Sequence, residues 1–310
     1  MKSVYIESYG GREQLKYGEL PKPTIKSTDV LIRVHAAGVN PVDWKVREGY
    51  LQSFLPYEMP LILGWDVAGV IVEVGSEVTR FHTGDEVFAR PATERNGSYA
   101  EYIAVDESLL AAKPKNISFA EAASIPLAGL TAWEALHEIA QVSAGQKVLI
   151  HGGSGGVGIY AIQLAKVFGA HVATTASATN HELVMQHGAD EVIDYTKESF
   201  VKRISNYDVV FDTIGGDVLA QSFQVLAKGG ILVSIVSQPD EATAKQYGVR
   251  TGYFFLNPDG EKLARLGELV VEGELRAVVG AKFSLADAAK AHELSETHHA
   301  KGKIVLTVGD

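Results

Sequence analysis

None of the 310 residues is cysteine, which removes disulfides, thiolate metal sites and cysteine nucleophiles at once. No stretch approaches the roughly 18 consecutive apolar residues of a membrane-spanning helix. The opening Met1-Lys-Ser-Val-Tyr-Ile-Glu7 has an acid too early, and too short an apolar region, for a secretory signal. An excess of positive charge is missing too. The formal net charge of −10 argues against a dedicated nucleic-acid surface, which needs a basic face. Nor do the histidines space themselves as a zinc motif: His137-Glu138 and His181-Glu182 lack the second histidine of H-E-x-x-H, and His298-His299 reads as a solvated helix end. These absences leave a soluble protein, with the cytoplasm as its expected location.

What is present is organised around Lys147-Val-Leu-Ile-His-Gly-Gly-Ser-Gly-Gly-Val-Gly158 and the residues that follow it. Val148, Leu149 and Ile150 read as a strand buried on both faces. Gly153-Ser-Gly-Gly-Val-Gly158 satisfies G-x-G-x-x-G, and Ile159, Ile162, Leu164, Ala165 and Val167 line a helix that stops near Gly169. Strand, glycine turn and helix, in that order, form the context in which this motif binds a dinucleotide. Glycines let the backbone approach a pyrophosphate, and the free N–H groups of the helix N-terminus favour its charge. The alternative is a tight turn with no ligand.

A site for NAD usually carries Asp or Glu about 20 residues beyond the glycines, to hold the ribose 2′-hydroxyl. Here no acid stands between Ile159 and His181. The next strand runs into Ala176-Ser-Ala-Thr-Asn-His181, whose hydroxyl and amide donors suit a 2′-phosphate that a carboxylate would repel. NADPH is therefore expected. Ser177 and Asn180 could alternatively cap the following helix, and the two roles can coexist.

Before residue 117 the pattern is short strands between turns, over 4–7, 29–38, 68–75, 87–89 and 99–105, which predicts a compact β-barrel. Ser118-Phe-Ala-Glu121 is a capping box opening a helix, and a second helix is expected from Gly129. Strands at 148–150, 172–175, 191–193, 209–212 and 231–234 then alternate with helices, the signature of an open parallel sheet covered on both faces. Residues 249–256 are expected to be its last strand and 259–272 a helix. A lone strand at 303–308 is expected to return to the first domain. The fold class is thus α/β, in two domains.

Taken together, these stretches resemble the medium-chain dehydrogenase/reductase superfamily, and within it the zinc-independent quinone oxidoreductase (zeta-crystallin-like) and enone reductase branch. The resemblance covers the chain in order. It rests on Val34-His-Ala-Ala-Gly-Val-Asn-Pro-Val-Asp43, Leu63-Gly-Trp-Asp-Val-Ala-Gly69, Val74-Gly-Ser76, Gly84-Asp-Glu-Val87, Ala128-Gly-Leu-Thr131, the glycine turn, Gly188-Ala-Asp190, Asp194-Tyr195 and Phe211-Asp-Thr-Ile-Gly-Gly216. It implies a GroES-like β-barrel catalytic domain over 1–120, completed by about 260–310, and a Rossmann NADPH-binding domain over 121–259. It also implies contacts to the cofactor. Asn40 and Lys45 match the motif that approaches the nicotinamide, Thr131 the ribose beside it, and Gly155, Gly156 and Val157 the pyrophosphate turn. Ser177, Asn180 and Tyr195 match the 2′-phosphate region, and Ile214 with Ile235, Val236 and Ser237 the nicotinamide walls. For Tyr195 the plainer alternative is a ring packed on the sheet edge, and for Lys45 a surface lysine.

The departures carry as much weight. Zinc-dependent members have Cys where this chain has Asn40, and Gly-His-Glu where it has Gly64-Trp65-Asp66. A reaction that needs no Lewis acid is therefore expected: hydride transfer to a quinone or to the C=C bond of an α,β-unsaturated carbonyl, whose β-carbon is already electrophilic. The enolate so formed needs hydrogen-bond donors and a proton. Asp43, Lys45, Arg47 and Tyr50 are expected in the loop facing the cleft, with Lys45 or Tyr50 bonding the enolate oxygen or water delivering the proton. Trp44, Tyr50, Phe54, Leu55 and Trp65 would form an apolar wall, or serve as ordinary core. No tyrosine has lysine four positions on, which excludes the Tyr-x-x-x-Lys pair of short-chain reductases. The competing reading is a non-catalytic NADPH-binding redox sensor or structural protein. Tyr253-Phe-Phe255 on an edge strand would leave apolar surface of the kind that is usually paired, so a homodimer through it is expected.

Overall fold

The computed structural model describes residues 1–309. The chain forms two compact units: one from Met1–Leu130, Pro258–Gly273 and Ala277 onward, the other from Thr131–Asn257 and Glu274–Arg276.

In the first unit the strands are β1 (Lys2–Ile6), β2 (Lys16–Glu19), β3 (Asp29–Val39), β4 (Leu61–Ile62), β5 (Val67–Val74), β6 (Glu86–Ala89), β7 (Tyr102–Asp106) and β8 (Leu110–Ala112). Helix α1 (Pro41–Arg47) follows β3, α2 (Phe119–Ala123) follows β8, and α3 (Pro126–Trp133) runs on into the second unit. Val30, Ile32, Val34 and Val39 of β3 and Val67 and Ile71 of β5 are buried, β-branched side chains that pack well on a pleated surface. Strand β3 pairs antiparallel with both β5 and β7. The three-stranded sheet β2-β1-β4 shares one core with it, through Val4, Ile6, Leu61 and Ile62 against Val30, Ile32 and Val34. Trp65 and Leu55 belong to the buried set, 0% and 8% exposed, so neither serves as the expected apolar wall.

The capping box at Ser118 and Glu121 is present, with Ser118 Oγ accepting from Glu121 N and the Glu121 carboxylate from Ser118 N. The helix expected from Gly129 begins earlier, at Pro126, because proline suits a helix's first turn. Both α2 and the greater part of α3 cluster with the first unit, whereas the sequence placed residues from 121 in the nucleotide-binding one.

The second unit holds β9 (Lys147–Ile150), α4 (Gly156–Val167), β10 (His171–Thr175), α5 (His181–Gln186), β11 (Glu191–Ile193), α6 (Phe200–Arg203), β12 (Tyr207–Asp212), α7 (Gly216–Ser222), β13 (Leu226–Ser234), α8 (Glu241–Tyr247) and β14 (Arg250–Tyr253). All six strands run parallel in the order β11-β10-β9-β12-β13-β14. Counted from β9 this is 3-2-1-4-5-6, the doubly wound order of dinucleotide-binding sheets. The order reverses between β9 and β12, and ligands of such sheets bind in the crevice beyond the carboxyl ends of the strands at that point.

The chain then returns to the first unit as α9 (Gly260–Val271), β15 (Val279–Ser284), α10 (Ala288–Glu296) and β16 (Lys303–Thr307). Asp259 caps α9 by accepting from Glu261 N and Lys262 N, and Leu263, Leu266 and Val270 bury one face at helical spacing. Strand β16 pairs antiparallel with β3 and completes its sheet. It is not the lone strand expected, for β15 lies parallel beside it. Every second residue of β15 is exposed, so its hydrophobic signal was weak. No helix among the described residues is long and apolar enough to cross a membrane.

Candidate active site

The second unit gathers its candidate residues at one edge of the parallel sheet, where the five strands β9 to β13 end. The turn after β9 is made by close approach. A Cβ on Gly153 would stand 2.0 Å from Thr174 Oγ1, and one on Gly158 2.3 Å from Gly152 O. At Gly155, the N-cap of α4, a Cβ would meet only Gly152 O, at 3.2 Å. Gly155, Gly156 and Val157 are half-buried, so the first turn of α4 keeps accessible backbone N–H groups, the arrangement that suits a pyrophosphate.

Beyond β10, Asn180 Nδ2 donates to Ser154 Oγ at 3.1 Å and to Ser177 Oγ at 3.2 Å. Ser177 Oγ also lies 3.2 Å from Thr179 Oγ1. Because the amide nitrogen supplies protons to both serine oxygens, the serine hydroxyl hydrogens are left to be given elsewhere, and an anion accepts them well. Neither Ser177 nor Asn180 caps the following helix by its side chain, so the capping alternative is not seen. Ser154 was missed by the sequence reading; its only signal was a hydroxyl inside the glycine turn. Tyr195, after β11, is 56% exposed.

Asp212, fully buried at the end of β12, ties two further loops together. Its Oδ1 accepts from Ile214 N at 3.1 Å and Gly215 N at 3.0 Å, and its Oδ2 from Ser234 Oγ at 2.8 Å. Ser234 Oγ in turn accepts from Val236 N and Ser237 N. This brace holds Ile214 and Val236 outward, 52% and 41% exposed, with Ile235 half-buried and Ser237 exposed. Apolar side chains fixed in water are what a flat ring can cover. Thr131 sits in α3, 5% exposed, just before the chain widens into a π-helix over Glu134–Ile139. That rare geometry often accompanies function.

His151 joins this edge from beneath. Gly152 N donates to Thr175 Oγ1 at 3.1 Å, and that hydroxyl lies 3.2 Å from His151 Nδ1. His151 Nε2 lies 3.1 Å from Ser222 Oγ, which gives its own proton to Val218 O. The pattern assigns the neutral tautomer with the proton on Nε2. Burial lowers the imidazole pKa to about 3.

In the first unit the expected residues separate. Asn40 precedes α1 and is only 2% exposed; its Nδ2 donates to Asp66 Oδ2 at 2.8 Å, and its Oδ1 accepts from Lys303 Nζ. Asp43 and Arg47 do not face a cleft, for both are fully buried. Asp43 Oδ2 accepts from Asn40 N at 2.8 Å and Tyr99 Oη at 2.7 Å, while burial pushes its pKa up to about 7. Arg47 binds Glu296 at 2.7 Å, Glu48 at 2.5 Å and Gly10 O, joining α1 to α10. Proline at the first helical position and Asp43 three residues after the cap turn these side chains inward.

Lys45 is half-buried, its ammonium 5.8 Å from the Trp44 ring centroid, and desolvation holds its pKa below the ordinary lysine value. Trp44 contacts Tyr50 and His298 edge-on, at 6.1 and 6.0 Å between centroids. Tyr50 and Phe54 are 65% and 67% exposed, and hydrogen bonding to Glu48 raises the Tyr50 pKa. Of the two candidate proton donors, Lys45 has the environment that eases proton release.

Among the described residues, no three His, Cys, Asp or Glu side chains stand where they could hold a metal, and Asn40 and Asp66 are already bonded to an ammonium.

Comparison with known proteins agrees with this fold. The family described as alcohol dehydrogenase GroES-like domain matches residues 26–115, and that described as zinc-binding dehydrogenase matches residues 187–306. The NADPH-dependent alkenal/one oxidoreductase of Arabidopsis thaliana is 42% identical over 317 residues, covering 99% of this chain and 79% of that protein. A quinone oxidoreductase structure from Coxiella burnetii superposes with a TM-score of 0.92 at 38% identity, covering 100% of this chain and 99% of the other. The Escherichia coli quinone oxidoreductase complexed with NADPH superposes with a TM-score of 0.90 at 27% identity, covering 99% and 100%. The chain belongs to the medium-chain dehydrogenase/reductase superfamily, in its quinone oxidoreductase branch.

Proposed function

We propose that this protein is a zinc-independent, NADPH-dependent reductase of quinones or of the C=C bond of α,β-unsaturated carbonyls. The observation that carries the reading is the Ser154–Asn180–Ser177 cluster, hydroxyl and amide groups at the end of β10 where an NAD site keeps a carboxylate. Bound NADPH supplies a hydride. The chain's own contribution is to hold and orient. Gly155, Gly156 and Val157 take the pyrophosphate, Ser154, Ser177, Asn180 and Tyr195 the 2′-phosphate, and Thr131, Ile214, Ile235, Val236 and Ser237 the nicotinamide end. Asn40 and Lys45 are assigned to the nicotinamide and substrate by their place in the family motif. Lys45, short of water and with its pKa lowered, donates the hydrogen bond that the substrate oxygen needs as negative charge develops there. Tyr50 takes the lesser part, since its hydroxyl is held to Glu48.

In the same reading the protein acts in the cytoplasm as a homodimer through β14, the edge strand, which ends at Tyr253 rather than at the expected residue 256; Tyr253 is 45% exposed and Phe255, just beyond the strand, 44%. The test is loss of reduced-nicotinamide absorbance with a panel of quinones and alkenals, NADPH and NADH in parallel, with and without chelator. Turnover at least about tenfold better with NADPH, and indifferent to chelator, is expected from the missing carboxylate and metal ligands. Tight NADPH binding without turnover on any acceptor would move the assignment to a non-catalytic NADPH-binding protein.

A further inference from the structure

Asn40 is gripped from three sides by buried ionisable side chains. Its backbone N–H donates to Asp43, its Nδ2 to Asp66, and its Oδ1 accepts from Lys303. Asp43 and Asp66 are 0% exposed and Lys303 3%. The Lys303 ammonium spends its three protons on Val39 O at 3.3 Å, Asp66 Oδ2 at 3.4 Å and Asn40 Oδ1. The other Asp66 oxygen accepts from Leu127 N at 2.8 Å.

An amide side chain is nearly symmetrical in shape, so packing alone distinguishes its two ends poorly. Here a cation faces the oxygen and an anion faces the nitrogen. A flipped amide would set oxygen against the Asp66 carboxylate and N–H against the ammonium, two repulsions in a dry interior where charge is poorly screened. Stability alone gives little reason to bury such a pair, since apolar replacements of similar volume are often as stable. Orientation does give a reason. Only one of the two Nδ2 protons is taken by these partners.

We propose that Lys303 and Asp66 are positioning residues for the reduction, acting through Asn40: they lock its amide in one orientation, so that the remaining N–H is offered in a single direction. The proposal rests on the reductase reading above.

The test compares wild type, N40A, the charge-free pair K303M/D66N, the triple variant, and K303R, which keeps the cation. NADPH affinity, read by nicotinamide fluorescence, reports that each variant is folded. For K303M/D66N the expected result is a kcat lower by on the order of 100-fold, the scale of a small misplacement at the reacting centre, with the KM for NADPH changed far less. In the triple variant kcat should match N40A within about twofold, because the pair has nothing left to orient. K303R should recover most of the loss. A K303M/D66N variant with wild-type kcat, or losses that multiply in the triple variant, would overturn the proposal alone. If the pair fails to fold, D66N, which keeps an acceptor for Leu127 N, is read by the same two criteria. A wild-type protein with no turnover on any acceptor would instead overturn the reductase reading and this proposal with it.

Discussion

Acidification should strike the nucleotide-binding unit at His151. This imidazole is 1% exposed, packs edge-on against Phe200 at 4.6 Å, and spends both ring nitrogens on hydroxyls. Protonation would bury a cation and place a second N–H against Thr175 Oγ1, whose own proton would then lose its acceptor. Burial accordingly lowers its pKa from 6.5 to about 3 in the folded chain. A histidine lowered on folding adds stability that is fully present above its unfolded pKa and is lost as pH falls toward the folded one. At 1.36 kcal/mol per unit, His151 should forfeit about 3 kcal/mol by about pH 4.5, and about 5 kcal/mol in all near pH 3. Against a typical stability of about 5–15 kcal/mol this is a large fraction. His292, also lowered to about 3, adds a loss of the same sign. Asp43, raised to about 7, opposes it, since its bound proton favours the folded state at low pH. Comparison with H151Q isolates the one site. Urea unfolding of both proteins at about pH 7, 5.5 and 4.5 should show H151Q less stable at the highest pH, and the gap between them closing by about 3 kcal/mol at the lowest. Parallel pH profiles would refute the argument, because they would mean that His151 takes up no proton on unfolding.

Two further substitutions test the sheet edge. N180D sets a carboxylate between Ser154 and Ser177, so kcat/KM for NADPH should fall by about tenfold or more while that for NADH holds or rises, a shift of at least about 1.4 kcal/mol in preference; steady-state kinetics with both cofactors reads it. D212N replaces an acceptor of Ile214 N, Gly215 N and Ser234 Oγ with a group that must donate at one end. It should cost about 1–3 kcal/mol in urea unfolding, and a higher KM for NADPH should accompany it as the two braced loops loosen.

How much of this was legible beforehand depended on how far each signal reached along the chain. The parallel sheet announced itself because strand, turn and helix each carry a local pattern, and β11 was placed to the residue. The alternating burial of β15 and the weakly amphipathic α10 left no comparable trace. At the carboxyl end of the parallel sheet, Ser177 and Asn180 drew attention through a missing acid, whereas Asp212 and Ser234 brace loops from strands that read only as apolar runs. The largest misreading was at α1. Asp43 and Arg47 were expected, with Lys45 and Tyr50, in a loop facing the cleft, yet both are buried in α1, as is Asn40 before it, because their partners lie far along the chain: Asp66, Tyr99, His292, Glu296 and Lys303. Single-sequence patterning weighs each polar residue as if it faced water, and a charge cluster assembled from both ends of the chain defeats it. The same fact explains why the chain returns through α9, α10 and β16. Without that return the first unit would hold Asp66 and Arg47 buried but lacking Lys303 and Glu296, a cost that is strongly destabilising for even one such charge.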